Sequence, residues 1–129
     1  MYNYKMKKSK KEGFVMQLLV LILTKTECMP QIVSAMVGAG LGDPTVIDCE
    51  GALNVIDKSN VEPPPIFGSL RYILGQSKKE SKMMFAVLSD DHIAKAKKLI
   101  DHEVGGIKNP NTGIIFTIPV SSVEGLTNS

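Results

Sequence analysis

Gly105-Gly106-Ile107-Lys108-Asn109-Pro110-Asn111-Thr112-Gly113 runs without a break into Ile114-Ile115-Phe116-Thr117-Ile118-Pro119-Val120, and the reading of this stretch decides the fold. The first half is a loop: three glycines, a proline and two asparagines tolerate positive φ and leave backbone N–H groups free to face a ligand. Lys108 adds one positive charge. The second half is a strand, and Pro119 places it at a sheet edge, because proline removes a ladder donor. Taken alone, a Gly/Asn-rich loop more often ends a helix than holds an anion.

Working outward, Ser89-Asp90-Asp91 supplies an N-cap and first-turn acids for a helix that Gly105-Gly106 closes. Its inward set is Ile93, Ala96, Leu99, Ile100 and Val104, with Lys95, Lys97 and Lys98 outward. Before it, Lys82 to Leu88 reads as a strand that is apolar on both faces, as does Met16 to Thr24. Between them Pro30 opens a helix whose buried face is Met29, Ile32, Val33, Met36 and Val37, ended by Gly38 and Gly40. Gly42-Asp43-Pro44 then turns the chain into a half-exposed strand from Thr45 to Gly51. The order is βαββαβ. The predicted class is α+β, ferredoxin-like, with a four-stranded antiparallel sheet and two helices on one face.

That arrangement leaves one sheet face without helices, although the first and third strands are apolar on both sides. Such a face exceeds what a soluble monomer shows, so self-association is expected.

From Ala52 to Ser81 neither period persists. Asp57-Lys58-Ser59-Asn60 is turn-like, Pro63-Pro64-Pro65 is stiff, and Leu70, Ile73 and Leu74 make at most one helical turn. Ordering so long a connection costs about 1–2 kcal/mol per residue with little burial in return, so it is expected to be mobile until liganded.

With 129 residues and 43% hydrophobic content, the chain holds one core and one domain, spanning 16–120. The net charge of +2 is small, and much of the basic excess lies in Lys5, Lys7, Lys8, Lys10 and Lys11, which argues against nucleic acid as a partner. Those lysines followed by Phe14 to Leu23 imitate an export signal. Thr24-Lys25-Thr26-Glu27 stands where a cleavage site would be, however, and the run is too short to span a bilayer. A cytoplasmic protein without membrane insertion is expected, with Cys28 and Cys49 as reduced thiols. Residues 1–15 fit no fold pattern and read as a basic tail or a mis-assigned start before Met16; residues 121–129 read as a polar tail.

Gly42-x-x-Thr45-Val46-x-x-x-x-Gly51, the strand-Ser89-Asp90-Asp91-helix junction, and Gly113, Ile115, Phe116, Pro119 and Val120 together resemble the nitrogen-regulatory PII and PII-like signal-transduction proteins over about residues 17–120. The resemblance implies a homotrimer with an adenine nucleotide (ATP, ADP or AMP) as effector in the cleft between subunits. It places Thr45 and Val87 near the base, Gly51 at the foot of the T-loop, and Gly105, Gly106, Lys108, Asn109, Asn111, Thr112 and Gly113 at the phosphates. Residues 52–81 stand at the T-loop, through which a transporter or metabolic enzyme would be regulated.

The chain departs from that family at the cations. Ile114 stands where a lysine follows the loop's last glycine, and 121–126 lack the C-terminal Arg-x-Arg. Charge-assisted contacts to phosphate are worth about 1.5–3 kcal/mol each, so ADP or AMP is expected to bind at least as well as ATP. Lys108, Arg71 and Lys58 are the candidates to compensate. No clear copy of the family's glutamine or modifiable tyrosine stands in the loop, which speaks against 2-oxoglutarate and against modification of Tyr72.

No nucleophile–base set, HExxH or CxxC is present, so no enzymatic activity is expected, a small ferredoxin-like enzyme being the alternative. His92 and His102 lie on different helix faces and read as solvated or capping residues. A CutA-type metal-binding trimer shares this topology but calls for clustered ligands. An RNA-binding sheet would need exposed aromatics, and Phe85 and Phe116 read as core or interface.

Overall fold

The computed structural model describes residues 15–66, 68 and 80–126. The expectations for the tail before Val15, for Leu70, Arg71, Tyr72, Ile73 and Leu74, and for the last three residues lie outside them. The elements are β1 (Met16–Leu23), α1 (Met29–Gly38), β2 (Thr45–Cys49), α2 (Ala52–Lys58), β3 (Ser81–Ser89), α3 (Asp90–Glu103) and β4 (Gly113–Pro119), with a 3-10 turn at Thr26–Cys28 ahead of α1. The strands form one antiparallel sheet in the order β2-β3-β1-β4. The predicted ferredoxin-like class is the observed one. The two doubly apolar strands are central and β4, with Pro119, is an edge.

Register divides the side chains between two faces. Leu19 lies beside Ala86 and Thr117, and Leu21 beside Met84 and Ile115. On this face α1 and α3 close the core with Ile32, Met36, Ile93, Ala96, Ile100 and Val104. Leu19, Leu21, Ile32 and Ile100 are all 0% exposed. Each such side chain contributes about 1.5–3 kcal/mol of burial.

The inward set of α1 is narrower than its period suggests. Met29, Ile32 and Met36 are buried, Val33 is half-buried, and Val37 is 56% exposed in the last turn. In α3, Leu99 is likewise only half-buried. Ser89 holds the N-cap position of α3 without a side-chain cap bond, and the Asp90 N–H instead donates to the Val15 carbonyl at 3.0 Å. Val15, assigned to the tail, therefore joins the fold through its backbone.

Both long helices end in the same way. Gly40 (φ 72°) and Leu41 donate to Val37 and Met36, and Gly105 (φ 76°) and Gly106 donate to His102 and Asp101. These are paired 5→2 and 6→1 bonds that satisfy carbonyls a helix end leaves open.

The connection after β2 corrects the expectation of an aperiodic loop from Ala52. Seven residues form α2, too few for a period to register. Glu50 anchors them, accepting hydrogen bonds from Asn54 Nδ2 at 2.9 Å and from Lys58 Nζ.

Candidate functional site

The loop from Gly105 to Gly113 is held together by its own hydrogen bonds. Besides the two spent on the end of α3, Ile107 N–H donates to Asp101 Oδ1 at 2.8 Å, Asn109 N–H to the Gly106 carbonyl at 3.0 Å, and Asn109 Nδ2 to the Gly105 carbonyl at 2.7 Å. The expectation that Gly105 and Gly106 leave free donors is thereby corrected: both N–H groups belong to the helix end. Asn109 is a strut of the loop.

Thr112 is buried and ties the loop to the end of β1, its carbonyl accepting from Thr24 N–H at 2.9 Å and Lys25 N–H at 3.1 Å. Asn111 takes φ 60°, the only positive φ of a non-glycine among the described residues, which turns the chain into β4. Gly113 is required by close approach to β1, since a Cβ there would stand 2.6 Å from the Ile22 carbonyl oxygen. A Gly113→Val change therefore acts on the fold before it acts on any ligand. Lys108 is exposed and makes no hydrogen bond or ion pair with a described residue.

The other predicted residues lie elsewhere. Thr45 is on β2, opposite Phe85. Val87 is on β3, opposite Leu18, and Gly51 is the N-cap of α2 with open space around it. Strand β2 and strand β4 are the two edges of the sheet, three strand spacings or about 14 Å apart. One copy of the chain does not bring the predicted base-binding and phosphate-binding halves together.

On the face opposite α1 and α3, three rows run across the sheet: Ile118, Leu18 and Val87; Phe116, Val20, Phe85 and Thr45; Ile114, Ile22, Met83 and Ile47. Only Thr45 is polar. Ile114 is 56% exposed, Ile47 44% and Phe116 40%. Phe85 and Phe116 are thus not core residues; they flank Val20 on the open face.

Beyond Thr45 and Ile47 the same edge ends in a depression lined by Asp48, Cys49, Glu50, Glu80 and Ser81, whose carboxylates disfavour a phosphate. Asp48 pairs with Lys82 at 2.6 Å, and the hydrogen bond and charge of Asp48 raise the lysine's pKa. Lys58 is engaged by Glu50, so it is not a free cation for the loop. Among the described residues no group of three or more His, Cys, Asp or Glu could hold a metal ion, and Cys28 and Cys49 are free, half-buried thiols. His92 departs from its expected solvated role, because its Nδ1 is enclosed without a hydrogen-bond partner.

Sequence reasoning passed over Lys25. Its Nζ donates to the Val104 carbonyl at 3.1 Å and lies against the start of the loop. The only signal was a lone lysine immediately after a buried strand.

Among the solved structures similar to this chain, three are instructive. A functionally unknown protein from Pediococcus pentosaceus aligns at TM-score 0.58 and 9% identity, covering 87% of this chain and 98% of its own. Arabidopsis thaliana PII bound to citrate aligns at 0.57 and 19%, covering 90% and 88%. CutA1, a divalent ion tolerance protein from Ehrlichia chaffeensis, aligns at 0.53 and 13%, covering 88% and 89%. The chain has the ferredoxin-like fold of PII and CutA proteins. No protein-family model and no curated protein matches it, and identities this low carry the fold alone. Among the described residues no helix is long and apolar enough to cross a membrane.

Proposed function

We propose that this chain is a cytoplasmic, non-enzymatic PII-like signalling protein. A homotrimer binds an adenine nucleotide in the cleft between subunits and regulates a transporter or metabolic enzyme through residues 52–81. The observation that carries the reading is the division of the site. Thr45 lies at one sheet edge and the Gly105–Gly113 loop at the other, so a ligand touching both has to lie between two copies. The apolar face opposite α1 and α3 supplies the surface through which copies associate. Helix α2, fixed to the end of β2 by Glu50, gives the partner-facing segment an ordered foot.

The effector is expected to carry few phosphates. Gly105 and Gly106 have no N–H to offer, Ile114 replaces a lysine, and among the described residues Lys108 is the one predicted cation that stands unengaged at the loop. Calorimetric titration of the full chain with ATP, ADP and AMP tests this. ADP or AMP binding at least as tightly as ATP, with Lys108→Ala weaker by about 1.5–3 kcal/mol, supports it. No heat with any nucleotide removes the nucleotide while leaving the fold and the association in place.

The likeness to CutA1 favours a second reading, a trimer that binds divalent metal. The same calorimetry with copper or zinc salts separates the two, since the described residues offer no clustered ligand set.

A further inference from the structure

We infer that Lys25 supplies a second positive charge, beside that of Lys108, to the ligand's phosphate at the Gly105–Gly113 loop; this rests on the nucleotide reading above. Lys58 is taken by Glu50, Lys82 by Asp48, and Lys108 stands exposed with no described group to position it. Lys25 differs from all of them. Its side chain is half-buried, its Nζ is anchored on the Val104 carbonyl, and no carboxylate among the described residues pairs with it.

Its placement is set from three sides. The backbone N–H of Lys25 is bonded to Thr112 at the end of the loop, and Nζ reaches Val104 at the loop's start. A Cβ on Gly105 would stand 4.0 Å from Nζ. An ammonium has three donors, and among the described residues one is used. A cation held in position by the protein loses little freedom when an anion arrives, in contrast to the loose Lys108. Its half-burial also strengthens attraction to phosphate relative to a fully solvated charge.

Lys25 also sits at the C-terminal end of α3, where a cation favours the helix dipole, so a loss of binding on mutation could reflect helix stability alone. Comparing ADP with adenosine separates the two roles, because only ADP presents phosphates. The full-length wild type, Lys25→Met, Lys25→Gln and Lys25→Arg are titrated calorimetrically with each ligand, and folding is checked by circular dichroism. Gln keeps an N–H donor without the charge, in case Met disturbs the helix end. The expected result is a Kd for ADP raised about ten- to a hundred-fold in the Gln variant, an essentially unchanged Kd for adenosine, and recovery of ADP binding with Arg. Unchanged ADP affinity in folded Lys25→Gln, or equal weakening of ADP and adenosine, overturns the inference while the nucleotide reading stands. Wild-type protein that binds neither ligand overturns both.

Discussion

The two faces of the one sheet are built from the same side chains and meet different fates. Leu19 and Leu21 on one face are sealed beneath α1 and α3, whereas Leu18, Val20 and Ile22, their neighbours on the same strand, lie on the opposite face, which neither of those helices covers. Alternation along a strand normally sorts apolar from polar, and here it sorts apolar from apolar. The helix-covered face accounts for the fold of one chain. The opposite face is not covered by either long helix, and a second copy of the chain is the cover proposed above, in keeping with the separation of the two half-sites on opposite edges.

The largest effect is expected on the covered face: Leu21→Ala leaves a cavity beneath two helices and lowers unfolding free energy by about 2–5 kcal/mol in urea titrations. On the open face, Phe116→Lys is expected to leave far-ultraviolet circular dichroism intact but weaken association by about 2–4 kcal/mol, read by sedimentation, as loss of a central aromatic anchor does. Equal loss of secondary structure in the two variants would erase the distinction between the faces.

Smaller effects belong to the edge. Glu50→Gln removes the ion pair that holds α2, and the pair is largely solvated, so global stability should change by less than about 1 kcal/mol. Limited proteolysis should nevertheless cut faster between 52 and 66, because the local anchor is gone. The smallest effect is expected for Asp48→Asn. Asp48 raises the pKa of Lys82 above its ordinary 10.5, so the contribution is present below that value and fades as pH rises through the raised one. Thermal melts of the variant and wild type should differ slightly at neutral pH and converge in strong alkali.

Much of this comparison was legible in the sequence. The unbroken apolar runs at 16–24 and 82–88 mark central strands, Pro119 marks an edge, and their sum marks a sheet apolar on both faces. Helix α2 was not legible, since two turns with Leu53 and Ile56 half-buried give no period, and its anchor at Glu50 is a tertiary contact. The roles of Gly105 and Gly106 were ambiguous for another reason. Glycines that end a helix and glycines that cradle an anion share the same φ, and only an account of where each N–H goes tells them apart. Lys25 was invisible because its environment is made by residues about eighty positions away.

Sedimentation velocity of the wild-type chain at micromolar concentration tests the central claim most directly. A homogeneous species of three times the 14.0 kDa chain mass is predicted, and a 14.0 kDa monomer with its apolar face in water would contradict it.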